Sequence, residues 1–373
     1  MKKKAPGILT KFATLLFAAV IVIGLIWFYV YGAGSQVSLL GGSGKAPDGF
    51  ADTEQQKEIT HASTEPNFYT KLSKGEAVRI AVIGDTFGAS EGASEGMEWD
   101  AQLSKILGDS YSSDVQIDNL SVSVTTAYQG YCTVMQNEWT KYDLAILCYG
   151  SLDQTGELEN FQRDYEAIVR NLRNKNSNLV IMPMISTYVS DSDYSGTIRS
   201  VADQYGLSCL NMNNAFVDSG MDESELTTND IYPNDQGYEI YARFIANTIQ
   251  QNVSDKVGVP QGAVKILYKG VRKMRKFQLL DPNELTAISD NEYTYSGEAK
   301  LLGIAYMPAE SGSDTITVEV NGDTVRTIDS VTSYDTDQLH YAIGAVGVED
   351  GDTVTIRVSG YSGTEFEGIV ISG

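Results

Sequence analysis

The chain has only two histidines, His61 and His340, and three cysteines, Cys132, Cys148 and Cys209, among 373 residues. None stands at metal-ligand spacing, so a zinc centre built on His and Cys is excluded and no cofactor is expected. An odd cysteine count also excludes a fully paired disulfide framework. Cys148 and Cys209 lie inside apolar strand-like runs, which favours buried free thiols; one disulfide involving Cys132 is the alternative. Positive charge is equally scarce. Lys and Arg total 27 against 49 Asp and Glu, for a formal charge of -22. Four of those cations (Lys2, Lys3, Lys4 and Lys11) sit at the N-terminus, so the remainder is more acidic still. Such a surface repels a phosphate backbone, and no nucleic-acid partner is expected.

One uncharged apolar run is present, at residues 12–31. It has the ~20 residues that a helix needs to cross a bilayer. Lysines precede it, and Trp27, Phe28, Tyr29 and Tyr31 cluster at its far end as an interfacial belt would. The expected order is a cytoplasmic basic tail at 1–11, a single transmembrane helix at 12–31 and an extracellular linker at 32–77 rich in Gly, Ser, Thr, Asp and Lys. The competing reading is a cleaved signal peptide, with Gly32-Ala33-Gly34-Ser35 near the cut. Either reading places the rest of the chain outside the cytoplasmic membrane, and the lysine-led anchor suits a Gram-positive cell surface.

Residues 78–253 alternate between short apolar runs and longer amphipathic ones. Strands are predicted at 78–83, 115–120, 144–148, 179–184 and 207–211, and helices at 98–107, 157–174, 197–205 and 236–251. This alternation predicts an α/β domain with a parallel sheet covered on both faces. In such sheets the crevice lies at the carboxyl ends of the strands. Gly84-Asp85-Thr86 follows the first strand and Gly150-Ser151-Leu152-Asp153 the third, so Gly84, Asp85, Gly150 and Asp153 belong at that crevice. Residues 254–276 form a connector in which Lys265, Lys269, Arg272, Lys273, Arg275 and Lys276 occur with no acid among them. It reads as a docking strip or solvated face, or as a site for anionic wall polymer or lipid headgroups. Residues 277–373 are strand-like throughout, with Asn321-Gly322 as a hairpin turn between alternating runs. They predict an antiparallel β-sandwich, in which Tyr293, Tyr295, Tyr306 and Tyr341 are core or strand residues, or line a sugar platform.

These blocks resemble the SGNH/GDSL hydrolase family over residues 78–253. The resemblance rests on Gly84-Asp85-Thr86 after the first strand, Asn119 to Thr126 as a second block, Gly150-Ser151-Leu152-Asp153 as a third, and Asp230-Ile231-Tyr232-Pro233-Asn234-Asp235-Gln236-Gly237-Tyr238 leading into a helix. It implies a flavodoxin-like three-layer domain and acyl transfer by serine, histidine and aspartate, with oxyanion donors from the serine amide, the second block and an asparagine. Carried over by position, the nucleophile is Thr86, the acid Asp230 and the base Tyr232. The oxyanion positions are Thr86, Val124 and Leu152, or Gly130 in place of Val124 if the alignment shifts.

The serine, asparagine and histidine positions are thus all replaced. Leu152 cannot donate a hydrogen bond, and losing one oxyanion donor costs ~3 kcal/mol. A phenol with a pKa near ~10 is no base at neutral pH. His61 and His340 lie in the linker and the sandwich, far from these blocks in sequence. The residues therefore imply a catalytically impaired surface protein that binds glycan or wall polymer or scaffolds a protein partner. The alternatives are an active deacetylase-like esterase using Thr86, and a structural surface-assembly protein. Glu91, Glu95, Glu98 and Asp100 read as a solvated acidic loop, with cation binding as the alternative.

Overall fold

Five parallel strands form the centre of the α/β domain in the order β2-β1-β3-β4-β5. They are β1 (Val78–Gly84), β2 (Val115–Asn119), β3 (Leu144–Cys148), β4 (Val180–Ile185) and β5 (Leu210–Asn211). The computed structural model describes residues 66–189, 192–229, 231–360 and 362–373. The expected tail at 1–11, the span at 12–31, most of the linker, His61 and Asp230 lie outside them. Among the described residues no helix is long and apolar enough to cross a membrane.

The strand β1 shows why the sheet is covered on two sides. Ile80 and Val82 point into one core and Ala81 and Ile83 into the other, and all four are buried. A half-buried sheet would alternate apolar with polar residues; this run is apolar on both faces. The first layer comprises α1 (Phe68–Ser73), α2 (Trp99–Tyr111) and α8 (Asp235–Ser254). In α2 the buried Trp99, Leu103 and Leu107 recur every fourth residue and meet Tyr238, Tyr241, Ile245 and Ile249 of α8. The second layer comprises α3 (Ala127–Gln136), α4 (Leu158–Lys175) and α5 (Asp193–Tyr205). Two short helices, α6 (Met212–Ser219) and α7 (Glu223–Leu226), and a small hairpin of β6 (Thr227–Thr228) and β7 (Tyr232–Pro233) precede α8.

Two boundaries differ from the sequence reading. The linker expected to run to residue 77 ends earlier: α1 buries Phe68, Tyr69 and Leu72, and Asn67 caps it by accepting from the Thr70 amide at 3.0 Å. The connector at 254–276 does not hang free. Its backbone runs along α4, where Arg173 reaches Pro260 O, Arg170 reaches Val264 O, and the buried Glu166 accepts from the Leu267 and Tyr268 amides.

The C-terminal region consists of two antiparallel sheets, β13-β12-β15-β10-β9 and β14-β11-β16-β8. Their strands are β8 (Phe277–Leu280), β9 (Thr286–Ser289), β10 (Glu292–Ser296), β11 (Ala299–Met307), β12 (Thr315–Val320), β13 (Asp323–Asp329), β14 (His340–Val348), β15 (Thr353–Ser359) and β16 (Glu365–Ser372). Asn321 and Gly322 turn β12 into β13 with φ of 53° and 89°, the positive values that this hairpin type requires. Leu302, Ile304, Ile316, Val318, Val354, Ile356 and Ile369 fill the space between the sheets. The outer face of the second sheet is buried too. Leu301, Ala305, Tyr341 and Val370 join the core formed by α3, α4 and the parallel sheet. Tyr306 and Tyr341 are buried, and Tyr293 packs on Phe366 at 4.9 Å, so these tyrosines form no common exposed platform.

Candidate active site

The strand order reverses between β2 and β3 on either side of β1, and the crevice opens where β1 and β3 end. Gly84 pairs with Cys148 in register, and the Asp85 amide donates to Cys148 O at 2.8 Å. A side chain at Gly84 has no room: its Cβ would stand 2.7 Å from Cys148 O and 2.9 Å from Gly88 Cα. The turn is thereby drawn tight against the third block. Asp85 completes the link. Its carboxylate accepts from the Phe87 amide at 3.1 Å, the Ser151 amide at 3.0 Å and the Ser151 hydroxyl at 2.6 Å. Burial pushes its pKa up to about 6 despite those three bonds.

Asp153 plays a parallel part. Thr126 precedes α3 without capping it by its side chain, and the Asp153 carboxylate instead accepts from the Ala127 amide at 3.0 Å. Burial, with Asp85 and Asp164 close by, holds the Asp153 carboxyl well above the ordinary range. Gly150 takes φ +127°, a conformation that suits glycine, and packs against Val189. Gly84, Asp85, Gly150 and Asp153 all lie around this one crevice, with the two carboxylates acting on backbone donors.

Thr86 occupies the turn at the crevice floor, 4% exposed. Its Oγ1 accepts from the Val124 amide at 3.0 Å. Val124 has φ +57°, which a β-branched residue adopts only under constraint. The second-block position is therefore shaped as for glycine while carrying valine. Gly130, the alternative, sits inside α3 against Tyr149 and Ile168 and is removed from the crevice. Leu152 begins a short 3-10 turn over Leu152–Thr155, and its side chain has no donor to offer.

The half-buried Tyr232, on β7, holds its ring 5.5 Å from Phe87, which stacks on Tyr188 at 5.9 Å. Among the described residues its hydroxyl makes no hydrogen bond to Thr86. Burial raises its pKa, and Tyr334, Glu91, Asp85 and Tyr188 add to the rise. Asp230 lies outside the described residues.

The sequence reading missed one contributor. The loop between β13 and β14 comes from the sandwich and reaches the crevice, where Asp335 Oδ2 accepts from the Ser123 amide at 2.6 Å. Asp335 also helps raise the pKa of Glu91, after burial. Nothing local marks Asp335, because a turn-like stretch of Ser, Thr and Asp reads the same wherever it docks. His340 follows the same loop. Its Nε2 lies 3.2 Å from Asp335 O and its ring 5.7 Å from Tyr306, so it serves the loop and not Thr86. Among the described residues no group of three His, Cys, Asp or Glu side chains is placed to hold a metal ion, and Cys132, Cys148 and Cys209 are free.

Comparison with known proteins agrees with this arrangement at the level of fold. A two-domain esterase active on acetylated mannans superposes with a TM-score of 0.64 at 15% identity, over 81% of this chain and 93% of that one. The same enzyme co-crystallised with mannopentaose gives 0.64 and 15% over 81% and 92%. A family 3 carbohydrate esterase of Clostridium thermocellum gives 0.42 at 13% identity, covering 49% of this chain and 100% of that one. No curated protein matches in sequence. Residues 82–240 match the model of the GDSL-like lipase/acylhydrolase family, and the α/β domain of this chain belongs to that family.

Proposed function

We propose that this chain is a non-hydrolysing GDSL-like protein that binds a hexose polymer at its crevice, held at the cell surface by residues 12–31. One observation carries the loss of hydrolysis. The Val124 amide, the donor that its position would offer to an oxyanion, donates to the Thr86 hydroxyl at 3.0 Å. Preorganised donors for the developing charge are the largest single contribution to acyl transfer. Leu152 supplies no second side-chain donor. Tyr232, its pKa raised by burial, cannot accept a proton from Thr86 at neutral pH.

The ligand class is favoured by the aromatic surface beside Thr86. Tyr188 is 51% exposed and backed by Phe87, a rigid ring against which a sugar face can lie. The two-domain neighbour active on acetylated mannans makes manno-oligosaccharides the first ligands to try.

The test uses the full-length chain with an aryl acetate and acetylated mannan, and a calorimetric titration with mannopentaose. The expected result is no turnover above buffer, with measurable hydrolysis gained by Thr86→Ser combined with Tyr232→His. Tyr188→Ala is expected to weaken mannopentaose binding about tenfold, the ~1.4 kcal/mol scale of one aromatic contact. Wild-type turnover abolished by Thr86→Ala would establish a threonine-dependent esterase instead. A blank titration would remove the hexose-polymer ligand.

A further inference from the structure

The basic connector has no part in the crevice, and its position in the fold gives it a separate role. Its backbone is fixed from below by α4. The Glu166 carboxylate is fully buried, yet it accepts from the Leu267 and Tyr268 amides and the Tyr205 hydroxyl and pairs with no lysine. Arg163 makes a bidentate pair with Asp164, and the connector crosses its stem at Gly270, where φ is +82° and a Cβ would stand 3.0 Å from Arg163 Cδ. The buried charges are thus matched to backbone or to each other. Lys265, Lys269, Arg272, Lys273, Arg275 and Lys276 are left exposed on a fixed backbone, with no ion pair among the described residues.

Where the connector passes the start of α4, a cavity of about 340 Å³ opens between the two domains. Lys269 and Lys273 line it from the connector and Lys300 from β11, with Arg163 at its wall. The 18-residue helix α4 begins beside it without a side-chain cap. Glu157 and Glu159 also line the cavity, and neither pairs with a lysine. Three ammonium groups converging on an uncapped helix start is a chemistry suited to phosphate.

We propose that this cavity and the adjoining strip bind a linear polyanion carrying repeated phosphate groups. The cavity admits one phosphate and is too concave for a bilayer plane. The remaining cations (Lys265, Arg272, Arg275 and Lys276) continue outside it and can follow a chain. In a protein of net charge -22, indiscriminate adsorption of a polyanion is disfavoured, which makes any such binding local.

Medium-chain inorganic polyphosphate titrated into the full-length chain tests this. Binding is expected at low salt, tighter than for orthophosphate. It should fall at least tenfold in Lys269→Gln/Lys273→Gln/Lys300→Gln, with the salt slope reduced by ~2 for three lost phosphate contacts. Lys105→Gln/Lys256→Gln, which removes exposed charge elsewhere, is expected to bind as wild type, and unchanged circular dichroism of the triple variant reports that the fold is kept. Equal binding by the triple variant and wild type overturns the proposal. So does orthophosphate binding as tightly as the polymer. Capture of the chain by phosphatidylglycerol vesicles but not by polyphosphate replaces the polymer with a lipid headgroup.

Discussion

Asp85 holds the nucleophile turn to the third block with its carboxylate inside the domain, and that position makes its contribution depend on pH. Its folded pKa of about 6 lies above the ordinary 3.8 because burial outweighs three donated bonds. As pH rises, the unfolded chain loses this proton first. The stability tied to the protonated form is therefore complete below about pH 4 and is lost as pH climbs through about 6. Asp164, also raised to about 6, shares that window. Asp85→Asn isolates one group from the other. An asparagine offers one acceptor where Phe87 and Ser151 need two, so the substitution is expected to cost ~1–3 kcal/mol at pH 4.5. The cost should be smaller at pH 7.5, where the wild type no longer has its protonated Asp85. Urea unfolding of both proteins at the two pH values measures this, and a cost that grows with pH would sink the argument. Thr86 and Val124 belong to the same scale. The strain at Val124 is kept where its amide meets Thr86, so the turn retains the shape of a catalytic site while its hydrogen bonds satisfy one another.

The contact of α3 with β11 shows what a whole element depends on. Gly303 on β11 faces the Tyr128 ring so closely that a Cβ there would overlap the tyrosine hydroxyl. Tyr128 is fully buried and cannot swing to solvent. Gly303→Ala is therefore expected to destabilise the protein by ~1–3 kcal/mol through overpacking. Chemical denaturation checks the value, and an unchanged midpoint would mean that the seam yields. The same helix explains where sequence reasoning stops. The helices α4 and α8 were legible because each carries an apolar face and a charged one, and β1 and β3 because they are apolar on both sides. In α3, by contrast, Tyr128, Gln129, Gly130, Tyr131, Cys132 and Val134 are all buried, so there is no polar face to set a helical period. Its cap, Asp153, comes from another segment. At the crevice, Thr86, Val124 and Leu152 were legible because their turns follow strand ends. Asp335 was not, because its position depends on how the sandwich docks, a long-range property with no local pattern.

That docking governs the behaviour of the molecule as a whole. The sheet containing β11 and β16 is apolar on both faces: Leu302, Ile304 and Ile369 face the sandwich core, while Leu301, Ala305 and Val370 face α3 and α4. A sandwich able to stand alone would expose a polar face there. Polar ties reinforce the seam, with the Tyr131 hydroxyl bonded to Lys276 O and Ser372, and Gln129 bonded to Leu339 O and the Tyr341 amide. Separating the two parts would expose buried apolar side chains and leave these polar groups unmatched, so neither has reason to unfold first. A single calorimetric transition is expected, with matching calorimetric and van't Hoff enthalpies. Val370→Ala, which removes side-chain volume from the shared core, should lower that one transition and leave it single. Its cost is expected to be ~2 kcal/mol, the range for truncating a buried aliphatic side chain. Two resolved transitions in the wild type would mean that the domains hold their folds independently. The reach of Asp335 into the crevice would then be a loose contact and no fixed part of the site.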